Sequence, residues 1–340
     1  MSVNGVNSSI RFVEIGVPQG SLLGPRLYAI YANDLPEATV NGYIHMFADD
    51  TTIYYIGREV EEIVDMLNII LKDFEAWCNL NHLTVHTGKT EAMLISTQPF
   101  IGPMRPLLFG NNFISFTTKT TCLGVIIDQK LNWKPQIDKL HTKFAGKLKF
   151  LKKMKGLPTN ILEEIYYKGI VPSITYCIAV WGTCPLSSFD ILEKMHIKAA
   201  KLIHKIPSGT RDIDVLNIVK WKPLSYLYKR RIATIMYQIK NKSLPEQLTS
   251  LFESPKNTHN YSLRNKADFH HIRYRNEQGR NSMRYRGPIV WNYIPEKIRS
   301  AATQDSFRRR LSGACRTLEK IQFEKEQCAV RTKDVDYLYF

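Results

Sequence analysis

Ile63, Met66, Leu67, Ile70, Leu71, Phe74, Trp77 and Cys78 recur at intervals of 3 and 1 residues. That periodicity draws one apolar stripe along a helix beginning near Glu59 and ending at Asn79–His82. Glu59, Glu61 and Glu62 stand in its first turn, where they complement the helix dipole. A second stripe runs through Trp133, Ile137, Leu140, Phe144, Leu148 and Leu151, with Lys139, Lys143, Lys147, Lys149, Lys152, Lys153 and Lys155 mostly on the other faces. Gly156-Leu157-Pro158 ends that helix, and another follows to about Tyr167. A further helix starts at the Ser187-Ser188 cap, with Leu192, Met195, Ala199, Leu202 and Ile206 inward; its His196 and His204 read as solvent-facing. Trp221-Lys222-Pro223 opens one that ends near Asn241, with Pro207-Ser208-Gly209 a boundary before it.

Strand patterns lie earlier. Ser9–Ile15 reads as a strand, and Leu23–Asn33 as an apolar helix packed on a sheet. Ile44, Met46 and Phe47 form one β-prone run and Ile53–Ile56 a second, with Asp49 and Asp50 between them, the pattern of a hairpin with its carboxylates at the tip. Leu83, Val85, a Thr87-Gly88 turn and Met93–Ile95 suggest two more short strands. Ile170–Gly182 is the most apolar stretch, but Pro172, Ser173 and Thr175 interrupt it, so it reads as core rather than a membrane span.

Charge changes the picture more than length does. The 340 residues carry a formal net charge of +16, distributed unevenly. Residues 1–128 hold 7 Lys and Arg against 13 Asp and Glu, and residues 129–340 hold 40 against 18. An acidic half followed by a basic one suits a metal-binding part joined to a phosphate-gripping part; a solvated basic surface is the competing reading. Cys78, Cys122, Cys177, Cys184, Cys315 and Cys328 form no C-x-x-C pair, which argues against a zinc site or disulfide framework. No signal-peptide core follows Met1.

The candidate chemistry sits in two strings. Gly16-Val17-Pro18-Gln19-Gly20-Ser21 offers two flexible glycines, a stiffening proline, an amide that donates and accepts, and a hydroxyl able to cap the next helix. Phe47-Ala48-Asp49-Asp50 follows, Asp49 falling 28 positions after Ser21. Adjacent strand residues point to opposite faces, so Asp49 reads as the principal cation ligand and Asp50 as an angled partner. An Asp-Asp pair is also ordinary turn material, and only the company of the first string argues for more.

Together these strings resemble the reverse transcriptases of non-LTR retrotransposons, the jockey-like kind. The resemblance implies an α+β fold: a partial polymerase palm, an antiparallel sheet with packed helices, over 1–128, a helical thumb-like region over 129–220, and a basic C-terminal region over 221–340. It implies RNA-directed DNA synthesis by two-metal nucleotidyl transfer, with Mg2+ as cofactor and an RNA template, a DNA primer and deoxynucleoside triphosphates as partners. Residue by residue, Asp49 and Asp50 become metal-site carboxylates, while Gly16, Pro18, Gln19, Gly20 and Ser21 become the nucleotide and template contact. Lys89 becomes a general acid for the departing pyrophosphate, or stays a solvated turn lysine. Cys122-Leu123-Gly124 matches the primer-grip hairpin, with Cys122 where the family carries Tyr. Lys143 and Lys147 on the thumb-like helix, and Arg273, Arg275, Arg284 and Arg286 in the two Arg-Tyr-Arg triplets, become nucleic-acid contacts. A nuclear working site follows from the resemblance alone, while the absence of a membrane partner is expected because no apolar run reaches membrane-spanning length.

Family members carry a further Asp on a strand upstream of the glycine string, and Glu14 is the only acidic residue before it here. The expectation is a truncated copy holding about half of the site. The alternative function is a catalytically dead nucleic-acid-binding remnant.

Overall fold

The computed structural model describes residues 2–3, 6–7, 16, 20–96, 104–252, 269–270, 272–274, 276–313 and 318. The chain is mixed α and β, with small sheets and many helices. It divides into two compact units, one of residues 1–92 and 99–117, the other of 93–98 and 118–340.

In the first unit, β1 (Ser2–Val3) and β2 (Val6–Asn7) form a small antiparallel pair. The strand expected over Ser9–Ile15 lies outside the described residues. Helix α1 (Gly24–Tyr31) follows, and Ser21 Oγ accepts from Gly24 N at 2.8 Å, so the hydroxyl caps its first turn as anticipated. Asp34 then precedes a short 3-10 turn, Leu35–Glu37.

Strands β3 (Tyr43–Phe47) and β4 (Asp50–Tyr54) pair antiparallel, with Ile44 opposite Ile53 and Phe47 opposite Asp50. One face turns inward, because Ile44, Met46 and Ile53 pack on Phe74, Trp77 and Cys78 of α2 (Val60–Leu80) and on Ala32 and Leu35. Tyr43, His45 and Tyr54 stack on the other face, with ring centroids 4.8 and 5.4 Å apart. The stripe read for α2 is its packing side: Ile70, Leu71, Phe74, Trp77 and Cys78 are buried, joined by Val64.

Strands β5 (Glu91–Ala92), β6 (Leu107–Phe109) and β7 (Asn112–Phe116) form a three-stranded sheet in the order β5-β7-β6. Asn68 on α2 grips its edge, accepting from Leu108 N at 3.0 Å and donating to Pro106 O at 3.2 Å. Leu83 and Val85 are not in a strand, and neither are Met93–Ile95. Their apolar side chains are real packing positions in part, since Leu83 and Val85 join the Phe74–Trp77 cluster. Apolar character alone does not create a ladder partner.

Helix α1 departs from expectation. It buries Gly24 and keeps Ala32 and Tyr28 against the core, but Leu23, Leu27 and Ile30 face away from it, exposed, while the part-exposed Tyr31 donates its hydroxyl to Asn81 O at the end of α2.

The second unit begins with the hairpin β8 (Lys119–Cys122) and β9 (Val125–Asp128). Helix α3 (Lys134–Lys153) starts where Asp128 accepts from Trp133 N at 2.8 Å. All six apolar positions anticipated for its stripe are buried, each stabilising by roughly 1.5–3 kcal/mol. Helix α4 (Thr159–Ile165) does not stop at Tyr167. It widens into a π-turn over Tyr166–Ile170 and continues as α5 (Val171–Ile174), followed by α6 (Ile178–Trp181).

Helices α7 (Leu186–Ile203), α8 (Asp212–Val219) and α9 (Leu224–Lys240) surround one core with α3. Pro207-Ser208-Gly209 is only the α7–α8 turn within it, since the core draws residues from both sides. Short helices α10 (Glu246–Thr249) and α11 (Glu277–Arg280) precede α12 (Met283–Tyr293), α13 (Glu296–Arg299) and α14 (Gln304–Gly313).

His196 corrects the solvent-facing reading. It is completely buried, with Nδ1 2.5 Å from Tyr166 Oη and Nε2 3.0 Å from Lys222 O. Burial holds its pKa down at about 4, against the partly opposing bond to Lys222 O. Trp221 stacks on Tyr166 at 4.8 Å beside it, so the ring belongs to an aromatic core. His204, at the end of α7, is half-buried, its Nε2 3.0 Å from a Glu163 oxygen.

Candidate active site

The hairpin tip is built by a two-residue loop. Phe47 and Asp50 are the last paired residues, leaving Ala48 and Asp49 to turn the chain. Ala48 adopts φ +52°. A side chain in that left-handed region costs roughly 1–2 kcal/mol relative to a glycine-like freedom, so the inner-face packing holds the tip against local strain. Asp49 and Asp50 are both exposed. Because Phe47 and Asp50 pair, Asp50 shares their outer face, while Asp49 stands at the apex.

Tyr28 on α1 is the neighbour that pattern reading missed. Burial first, and then the Asp49 carboxylate, raise the pKa of its phenol. Helix α1 therefore links the glycine string, at its start, to the acidic tip. The signal was weak, one of two tyrosines inside an apolar run.

Of the glycine string, Gly16 has φ +89° and Gly20 φ +83°, both open to a conformation that side chains disfavour. Pro18 and Gln19 lie outside the described residues. Lys89 is exposed on a 3-10 turn, Thr87–Lys89, its amide bonded to His86 O at 3.0 Å.

Asp49 and Asp50 offer hard oxygen donors, the kind Mg2+ takes one or two at a time while keeping several waters. Their exposure at one apex fits that role. Among the described residues, no group of three or more His, Cys, Asp or Glu is placed to hold a metal ion.

The remaining candidates fall in the second unit. Leu123 (φ +46°) and Gly124 (φ +83°) form the β8–β9 turn, both positive as the right-handed twist of a tight hairpin requires. Its two carbonyls are held from outside: Tyr176 Oη donates to Leu123 O and Lys139 Nζ to Gly124 O, each at 3.0 Å. Buried Gln136 accepts from Ile126 N at 2.9 Å.

Lys143 Nζ donates to Ser173 O at 3.4 Å and Lys147 Nζ to Gly169 O at 2.9 Å. Arg273 is exposed. Arg275 lies outside the described residues. Arg284 Nε donates to Leu251 O at 3.1 Å.

Arg286 is placed differently from what its triplet suggested. It is buried, with Nη1 donating to Gly182 O and Tyr228 Oη and Nη2 to Thr183 O and Asn281 Oδ1, at 2.5–3.3 Å. Its guanidinium joins α12 to the α6–α7 turn and is engaged inside the fold. Beside it, burial raises the pKa of the Cys184 thiol to about 12. The four described cysteines are free.

Residues 1–137 match the family described as reverse transcriptase (RNA-dependent DNA polymerase). The chain is 28% identical over 230 residues to the RNA-directed DNA polymerase from mobile element jockey of Drosophila funebris, a match covering 63% of this chain and 25% of the relative. It is 26% identical over 231 residues to the jockey protein of Drosophila melanogaster, covering 63% and 25%. To the probable RNA-directed DNA polymerase from transposon X-element of that species it is 25% identical over 199 residues, covering 56% and 22%. The chain spans about a quarter of the length of the curated relatives it matches. No solved structure matches. With the acidic hairpin and the glycine-hinged entry to α1 already in its first unit, the chain is similar to the RNA-directed DNA polymerases of jockey and other mobile elements.

Proposed function

We propose that this chain contributes the acidic-tip portion of an RNA-directed DNA polymerase, extending a DNA primer on an RNA template. The observation that carries the reading is the β3–β4 hairpin, whose packed inner face presents Asp49 and Asp50 together at a solvent-facing apex. The first unit then acts as palm and the helices beginning with α3 as thumb. Asp49, with Asp50 beside it, would hold Mg2+. When bound, the ion supplies charge neutralisation at the transferring phosphoryl group.

The chain's own residues do the rest. Backbone near Gly20 has the freedom to lie close to a nucleotide, with Gln19 and Ser21 in the adjoining string. Lys89, on its exposed turn, is the candidate to give a proton to the leaving pyrophosphate. Leu123 and Gly124 present the primer-facing turn.

Primer extension on an RNA template in Mg2+ tests the reading. Extension that disappears with Asp49→Asn supports it, and extension that survives the substitution removes it. A second reading is favoured by the lysine-rich α3: the chain binds nucleic acid without polymerising. It predicts binding that weakens steeply with salt and ignores both Mg2+ and Asp49.

A further inference from the structure

Three lysines on α3 are anchored in the same way. Lys139, Lys143 and Lys147 are four residues apart, so they form a ridge along one side of the helix, with successive Cα atoms about 6 Å apart along its axis. Each ammonium donates to a backbone carbonyl: Lys139 to Gly124 on the β8–β9 turn, Lys143 to Ser173 on α5, and Lys147 to Gly169 in the π-turn. All three partners are neutral carbonyls rather than carboxylates, so the row keeps its formal charge. Lys139 and Lys143 remain exposed and Lys147 is partly so. One donor of each ammonium is engaged and two are left. Proximity to Lys143, after burial, depresses the pKa of Lys147, as expected when cations are held side by side.

The row has a fixed geometry because its anchors belong to a packed body. Tyr176 holds the Leu123 carbonyl beside the first lysine, and its exposed ring borders the head of the row. Lysines on an ordinary solvated face fluctuate among rotamers, whereas these three are tethered before any ligand arrives.

We propose that Lys139, Lys143 and Lys147 form a phosphate track that receives consecutive phosphates of one nucleic-acid strand running along α3. The nucleic-acid identity of the ligand rests on the proposed function; the tethered row itself does not. The track adds Lys139 to the contacts and fixes the axis of the strand, between the π-turn and the Leu123–Gly124 turn. It also separates these lysines from others on the helix. Lys152 lies on the far side of α3 from the row and serves as a control.

The test is equilibrium binding of a fluorescein-labelled oligonucleotide to the full chain across a salt series. It is made in EDTA and in an Asp49→Asn background, so that failure of the polymerase reading leaves the result unaffected. Primer extension by the parent chain reports that reading separately. Lys139→Met, Lys143→Met and Lys147→Met are each expected to reduce the slope of log K against log salt by roughly 0.7–0.9, while Lys152→Met leaves it unchanged. Lys143→Arg is expected to retain the slope, since charge and donors persist.

Equal slopes for the Lys143 and Lys152 variants overturn the track. So does binding to phosphatidylserine vesicles without binding to the oligonucleotide. Because Lys147 also holds the Gly169 carbonyl, its substitution can disturb the π-turn. The Lys143 pair, with the longest tether, then decides the matter, with thermal unfolding confirming that both variants are folded.

Discussion

Tyr176 Oη donates to Leu123 O at 3.0 Å, tying the turn between α5 and α6 to the tip of the β8–β9 hairpin. A side-chain hydrogen bond to Cys177, more than any other influence, raises the pKa of the phenol, which is protonated and donating at neutral pH. Tyr176→Phe removes only the hydroxyl. The expected loss is about 0.5–1 kcal/mol, with faster amide hydrogen exchange at Leu123, Gly124 and Val125. Unchanged exchange at those amides would show that Lys139 and the turn suffice.

The Ala48 backbone gives a second expectation. Its φ of +52° is one that glycine adopts freely. Ala48→Gly should raise stability by up to about 1 kcal/mol, the relief of strain being offset by glycine's greater freedom when unfolded. Urea denaturation measures the gain; a loss of stability would mean that the alanine methyl makes a contact worth more than the strain.

Asp49 and Asp50 differ in position, and their variants should differ too. Both are exposed, so Asp49→Asn and Asp50→Asn are expected to keep stability within about 0.5 kcal/mol. Titration calorimetry with Mg2+ should show the larger loss of affinity for Asp49→Asn, the apex residue. Equal affinity in parent and both variants would remove the tip as a cation ligand.

Acid should act through His196. Its folded pKa of about 4 lies below the unfolded value of about 6.5. The folded state therefore binds fewer protons through that window, and the stability contribution present above pH 6.5 is lost as pH falls towards 4. The loss is about 3 kcal/mol at completion. Half-buried Glu193, whose pKa is raised by desolvation, works in the opposite direction as it takes up its proton. The measurement is thus a comparison: the parent's denaturation midpoint should fall from pH 7 to 4 more steeply than that of His196→Gln. Parallel pH profiles would contradict the buried, neutral ring.

Arg286 is expected to matter for folding. Arg286→Met leaves the Gly182 and Thr183 carbonyls without their buried donor and should destabilise by about 3 kcal/mol or more. Arg286→Lys should recover little, because an ammonium cannot reproduce four bonds from a planar fork. Chemical denaturation reports both; a fully stable Lys variant would mean that charge alone is what the site needs.

Much of this architecture was legible before any coordinates. The α3 stripe from Trp133 to Leu151 is a pure 3.6-residue repeat, and the α2 stripe and the β3–β4 hairpin are nearly as clear, because burial on one side leaves a periodic trace. The Arg286 and His196 environments left none. A buried polar side chain depends on what other segments bring to it, here Gly182 and Thr183 for the arginine, Tyr166 and Lys222 for the histidine. Two Arg-Tyr-Arg triplets look alike in sequence although Arg273 faces water and Arg286 does not. The lysine anchors were hidden for a related reason, since a backbone carbonyl has no residue type to recognise.

The bare side of α1 carries a practical corollary. With Leu23, Leu27 and Ile30 wetted along about two turns, purified protein should self-associate as concentration rises. Assays at nanomolar levels and scattering or crystallisation trials at millimolar levels will therefore sample different species, and a leucine-to-glutamate change on that helix is the reagent that would bring them back together.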